Sequence, residues 1–423
     1  MSDQEVNAPR TELRIAIRSG QKDGVLDFGF DISGEDPVGP LEHPYLTAAV
    51  LNDRLPEIRK LLSEWADKYK RLLVDEKESK LKMGSDDLKD MWHALATWGW
   101  STYNELFDVL ARGNENLVRM TEGIKGKAFE GWLLIINSHI GDIPWGLLYD
   151  QMPPDKKSPN FLEEVKKNFW GLKYQMQATP LSNPSNFPGL SKHILDNEES
   201  TRLTVTINEK MDIEYQTNHK GFFDKLSNEF KLSPAVESSP MRLTPDKQKV
   251  IDSFHDRQEP QHLYYFYCHH TKADGIYTYR GYRNFDRSKL IISGKDASDE
   301  SVIGFTELFD DPAISAFQKP PVVFVNACES VQQDIGNPLG FLFIFAYKMA
   351  AYPFIGTEAP IPAAFADDFG RQFVERFLQG QSIGRSIFDL KREYAEKHDN
   401  PFGLYYSLYG NANTRLSREV IKL

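Results

Sequence analysis

Cysteine is scarce in this 423-residue chain, which has only Cys268 and Cys328. Two thiols in such a length argue against a disulfide framework and fit a reducing compartment. Long apolar runs are missing too, so no membrane-spanning helix is expected. The opening residues MSDQEVNAPRTELR are acidic and polar with no apolar stretch, so they do not read as a secretory leader, and cytoplasm is the expected location. Internal repeats and low-complexity tracts are absent, which sets aside solenoids and propellers. Positive charge is in deficit. With 50 Lys and Arg against 61 Asp and Glu, the net charge is −11. That balance disfavours nonspecific nucleic-acid binding, which draws on Lys and Arg meeting phosphates. A basic protein or peptide partner is compatible with it.

What is present is ordinary for a globular protein: 40% hydrophobic and 26% charged residues. The length predicts two domains. Residues 1–125 read as a smaller α+β region. Strand-like runs Leu13–Ile17 and Val25–Phe30 are followed by a helix with an apolar stripe at Ile58, Leu61, Leu62, Trp65, Tyr69 and Leu72. A second helix spans about Asp86 to Leu110, with Met91, Leu95 and Trp98 facing inward. The Gly/Lys-rich stretch Gly123–Lys127 is the candidate boundary.

Residues 126–423 alternate short apolar runs with helices. The runs are Trp132–Asn137, Leu203–Ile207, Leu263–Cys268, Val322–Ala327 and Tyr352–Ile355. WLLIIN, LYYFYC and VVFVNA are almost continuously apolar, as expected of strands covered on both faces. Helices are predicted at Pro245–His255, Asn337–Ala350, Phe365–Leu378 and Ile383–Lys397, the first with Thr244 as N-cap and Pro245 at its first position. The expected fold class is therefore α/β, a mainly parallel sheet flanked by helices.

In such sheets ligands sit beyond the carboxyl ends of the strands. Two strand ends carry reactive side chains: Cys268, His269 and His270 in LYYFYCHH, and Cys328 in VVFVNACES. A thiol becomes an effective nucleophile when an imidazole takes its proton, and the imidazole can later protonate a leaving amine. Backbone N–H groups at such turns can stabilise an oxyanion. Each residue alone reads more simply as core, and only the pair points to chemistry. Paired C-x₂₋₄-C spacing is absent, so no metal site is predicted.

At these residues the chain resembles CHAT domains, relatives of caspases and separases. Asn326-Ala327-Cys328-Glu329-Ser330 is the counterpart of the caspase Q-A-C-[RQG]-G signature, here 59 residues after His269. Four further stretches match in order. Asp142–Asp150 (DIPWGLLYD) resembles the family's "iPWELLYD", and Phe354–Glu358 (FIGTE) its "VIGTE". Phe365–Phe377, ending in Leu378-Gln379-Gly380, resembles the "F…F…LL-G" helix. Asn400–Gly410 (NPFGLYYSLYG) is similar to the closing "NPLGLAYTLYG". Together they span about Lys127 to Leu423.

The resemblance implies a caspase-like cysteine endopeptidase, a hydrolase with Cys328 as nucleophile and His269 as base. The backbone N–H groups of Cys328 and His270 would line the oxyanion hole, and no cofactor is called for. It further implies a bacterial defence or cell-death setting, a protein substrate such as a pore-forming or regulatory protein, and an activating sensor protein. Glu329, Glu358 and Asp274 lie where an S1 pocket would draw on them. Acidic groups there would select Arg or Lys, although each reads more simply as a solvated loop charge, and no cleaved residue is predicted. One departure stands out: His270 replaces the glycine that usually follows the catalytic histidine, and its Cβ restricts the backbone. The rival reading is a catalytically silent scaffold that binds a peptide or protein partner in the same crevice. Strand alternation allows only one of the two histidines to face the thiol.

Overall fold

The computed structural model describes residues 12–19, 25–32, 37–75, 85–112, 114–126, 129–138, 143–179, 194–196, 201–215, 217–231, 241–243, 246–255, 261–271, 278–279, 282–283, 289–293, 302–328, 330 and 341–417. The chain begins with β1 (Glu12–Ser19), β2 (Val25–Ile32) and β3 (Val38–Thr47). Helices α1 (Ala48–Asp75), α2 (Ser85–Tyr103) and α3 (Glu115–Lys125) follow, α3 ending within the Gly123–Lys127 stretch. Next come β4 (Leu133–Ser138), β5 (Gln175–Thr179), β6 (Leu203–Ile207), α4 (Glu209–Tyr215) and α5 (His219–Lys231). After them lie β7 (Met241–Leu243), α6 (Lys247–His255), β8 (Leu263–Tyr267), β9 (His269–Thr271), β10 (Lys289–Ile291) and β11 (Val302–Gly304). The chain closes with β12 (Val322–Asn326), β13 (Phe354–Thr357), α7 (Ala363–Leu378), α8 (Ile383–His398) and β14 (Tyr406–Tyr409).

Eleven strands form one sheet in the order β3-β2-β1-β4-β5-β14-β13-β12-β8-β6-β7. All neighbours in it run parallel except β1–β2, β2–β3 and β13–β14. The fold is α/β, a mainly parallel sheet flanked by helices. Its β13–β14 junction separates two parallel blocks of opposite direction. The N-terminal strands belong to this same sheet, because β1 pairs in parallel with β4 from Glu12↔Leu133 to Ile17↔Ser138.

The continuous apolar character of β8 and β12 follows from this burial. Every residue of β8 is fully buried, as are Val322–Val325 of β12. One face of the pair (Tyr265, Tyr267, Phe324) packs into a core shared with Ile58, Leu62 and Tyr69 of α1, Met91 and Leu95 of α2, and helices α7 and α8. The other face (Tyr264, Phe266, Cys268, Val323, Val325, Ala327) packs against Val250 and Phe254 of α6 and against Phe341 and Phe345. Of the predicted α1 stripe, Ile58, Leu62 and Tyr69 are buried, and Leu61 and Trp65 pack against the same core. Leu72 lies outside the described side chains.

The predicted strand Leu203–Ile207 is found with the same bounds, and the other predicted strands differ from expectation by one or two residues. Residues 331–340 lie outside the described residues. The segment expected as one helix to Ala350 is a short α-turn, Phe341–Phe343, continued by a π-turn, Ile344–Lys348. No helix among the described residues is long and apolar enough to cross a membrane.

Candidate active site

The last registered pair between β8 and β12 is Tyr267↔Asn326. His269 and Cys328 each lie two residues beyond it, at the carboxyl ends of adjacent parallel strands. Alternation sorts the side chains. Cys328 packs, partly buried, against the α7/α8 core. The His269 ring meets Tyr215 of α4 edge-on, with centroids 6.5 Å apart, and Tyr215 belongs to that same core. His270 turns the other way, its ring 6.0 Å from Phe341 in the opposite cluster. Of the two histidines, His269 therefore shares the thiol's face. Cys268 is buried among the residues of the opposite face, and neither cysteine is in a disulfide.

His269 also marks the point where the chain leaves the main sheet. It opens β9, which pairs antiparallel with β10 through His269↔Ile291, and β10 in turn pairs with β11. Asn208, just past β6, fixes this departure. Its backbone N–H donates to Tyr267 O at 2.8 Å and its side-chain Nδ2 to Ile291 O at 3.0 Å. One buried asparagine thus holds the residue two before His269 and the residue paired with it.

The Cys328 turn is held as firmly. Asn326 Nδ2 donates to Tyr265 Oη (2.8 Å) and to Ala366 O (2.7 Å), and Asn326 Oδ1 accepts from Tyr406 Oη (2.7 Å). Gly370 lets α7 come this close, since a Cβ there would lie 2.1 Å from Tyr265 Oη and 2.6 Å from Asn326 Nδ2. The Ser330 hydroxyl donates to Val325 O (2.8 Å) and accepts the Thr357 N–H (2.9 Å). Thr357 Oγ1 donates to Ala327 O at 2.6 Å. The thiol itself reaches Ile361 O at 3.9 Å, a weak S–H donor contact.

Below the crevice, His219 stacks on Tyr267 with centroids 4.1 Å apart. Its Nδ1 bonds Asp367 Oδ1 at 2.6 Å, in full burial on both sides. Burial lowers its pKa against the pull of that carboxylate. Burial pushes the Cys268 thiol well up, a second reason to regard it as inert.

The acidic candidates part ways. Glu329 and Asp274 lie outside the described residues. The Glu358 carboxyl is buried, accepting from Tyr409 Oη at 3.2 Å and from the Ser407 side chain. Arg59 of α1 and, after it, Lys391 of α8 favour its charged form. Burial lowers the Lys391 pKa to about 8 and raises that of Glu358, each group partly offsetting the other's shift. A carboxylate so enclosed presents no open face to a substrate side chain. Among the described residues no group of His, Cys, Asp and Glu could hold a metal.

Sequence reasoning missed Asn208 and Tyr215, and it named Asn326, Ser330 and Thr357 only as members of the NACES and FIGTE stretches, without the bonds they make. For Asn208 the available signal was a polar residue at the end of an apolar strand.

Fold and site define an α/β protein with a thiol and an imidazole on one face, at the carboxyl ends of neighbouring strands. No family model matches the chain. Over 262 residues it is 23% identical to a probable protease of Vitiosangium sp., covering 59% of this chain and 30% of that protein. Two crystal structures of the Saccharomyces cerevisiae separase–securin complex align with it at TM-scores of 0.47 and 0.46, with 10% and 11% identity. Each alignment covers 95% of this chain and 30% of the other.

Proposed function

We propose that the chain is a cysteine endopeptidase acting through Cys328 and His269. The observation that carries this reading is their equivalent placement two residues past the Tyr267↔Asn326 pair, on one face of the sheet. The similarity to a protein named a probable protease supports it.

His269 takes the Cys328 proton, and the sulfur attacks the scissile carbonyl carbon. The resulting oxyanion is met by the backbone N–H groups of Cys328 and His270. As the C–N bond breaks, His269 returns the proton to the leaving amine, leaving a thioester. Water, deprotonated by His269, then attacks the thioester, and the sulfur leaves as the acyl product departs with a free carboxylate. The substrate is a specific protein, and by the CHAT resemblance the setting is a cytoplasmic bacterial defence or cell-death module in which a partner activates the enzyme.

The test compares new protein N-termini in lysates, with and without candidate partners, after incubation with wild type or Cys328→Ala. Termini that appear only with wild type are expected, and their preceding residue gives the P1 preference. Identical termini under every condition, together with Cys328 alkylating no faster than Cys268, would turn the reading to a silent peptide-binding scaffold.

A further inference from the structure

The segment Thr357–Pro362 touches the nucleophile's turn at both of its ends. At one end Thr357 bonds Ala327 O and Ser330 Oγ. At the other the Ile361 carbonyl accepts the Cys328 S–H at 3.9 Å. Between them, Glu358 is where the segment is tied down. Its backbone N–H donates to Tyr405 O at 2.9 Å, and its carboxyl accepts from Tyr409 Oη and the Ser407 side chain. All three partners lie in or beside β14, the first strand of the opposed parallel block. Pro360 and Pro362 flank Ile361, and their fixed φ makes the segment stiff enough to move as a unit.

The geometry points to Glu358 as a positioning residue that clamps residues 358–362 against Cys328. This rests on Cys328 being the nucleophile. The clamp has two effects on the thiol, and they act in the same direction. The segment covers the sulfur, which is partly buried. It also offers the proton on sulfur an acceptor other than His269, which favours the neutral thiol over the thiolate. Glu358 is therefore assigned to restraint of the nucleophile rather than to recognition of a substrate side chain.

Lys391 is 5% exposed, as is Glu358, and the carboxylate is the charge that holds the ammonium's pKa up against burial. Removing one partner strands the other in a low-dielectric site, whereas removing both charges leaves packing without a stranded ion. That asymmetry supplies the control.

The experiment measures second-order alkylation of Cys328 by iodoacetamide at pH 7 in wild type, Glu358→Gln, Lys391→Met and the double variant Glu358→Gln/Lys391→Met. Cys268 in the same samples serves as the folding gauge, because it stays protected only while the core is intact. The expected result is a fivefold or greater acceleration at Cys328 in Glu358→Gln, with Cys268 still protected and the thiol's pH–rate profile displaced to lower pH. The double variant covers the case in which the single change unfolds, and it should show the same acceleration. Unchanged Cys328 rates in a double variant whose Cys268 is protected would overturn the proposal. The peptidase reading stands or falls separately, on the wild-type termini and on Cys328→Ala, so the two failures are distinguishable.

Discussion

Thr357 donates its hydroxyl to the carbonyl of Ala327 at 2.6 Å, tying the end of β13 to the residue before Cys328. Both groups are buried. Thr357→Val keeps the β-branched shape and removes the donor, leaving that carbonyl without this bond. A loss of about 1–3 kcal/mol in unfolding free energy is expected from urea titration. Thr357→Ser should recover most of it.

The two histidines, adjacent in sequence, face opposite cores. On the proposed mechanism His269→Ala removes the proton acceptor and should lower cleavage by at least about a hundredfold, the span of a general base. His270→Ala keeps its backbone N–H and should retain activity within about tenfold, with its main effect on thermal stability through the packing against Phe341. Equal losses in both variants, with equal melting temperatures, would contradict this assignment of faces to roles.

Gly370→Ala places a methyl 2.1 Å from Tyr265 Oη and 2.6 Å from Asn326 Nδ2. In an exposed helix the change would add up to about 1 kcal/mol of helix propensity. Here the overlap forces α7 off the sheet or breaks the Asn326 bonds, and the expected net loss is about 1–3 kcal/mol. Calorimetry on the variant decides between the two signs.

Lys391 gives a pH dependence whose sign can be worked out. Its folded pKa is lowered from 10.5 to about 8. Between pH 8 and 9.5 the unfolded chain holds the Lys391 proton while the folded chain releases it. The unfolded state then binds more protons, so stability rises with pH in that window. Relative to Lys391→Met, wild type should gain about 1.5 kcal/mol from pH 8 to 9.5. Taking the difference between the two proteins removes the opposing contributions of Cys268 and of the buried tyrosines. A flat difference across the window would show that the lysine is not buried as described.

The parts of this fold that could be read from sequence are those where burial alone dictates residue type. LYYFY and VVFVN lie in the centre of the sheet with both faces covered, so no polar residue interrupts them. The same signal located Cys328 and His269, because polar side chains first appear where the covering ends. The edge strand β3, VGPLEHPYLT, carries two prolines, which a strand tolerates where its N–H groups need no partner, and so it escaped notice. β7 is three residues long, too short for any period to show. The reversal at β13–β14 is set by pairing between segments some fifty residues apart, and composition carries no trace of it. Asn208, Asn326 and Thr357 look like turn residues in one dimension. Only the folded chain reveals that their polar atoms meet buried partners from other strands. Glu358 was misleading for the same reason, since an acid after a strand reads as exposed until its hydroxyl partners on β14 are seen.

The parallel pairing of β1 with β4 has a consequence for anyone dividing this molecule. Six consecutive positions of β4, Leu133 to Ser138, are matched by residues more than a hundred places earlier in the chain. A fragment beginning near residue 126 would leave that row of main-chain donors and acceptors bare, beside a side-chain sequence as apolar as LLII. Such a border recruits whatever strand comes next, including another copy of itself. The first three strands thus act as a selvedge, finishing a sheet that would otherwise continue into its neighbours.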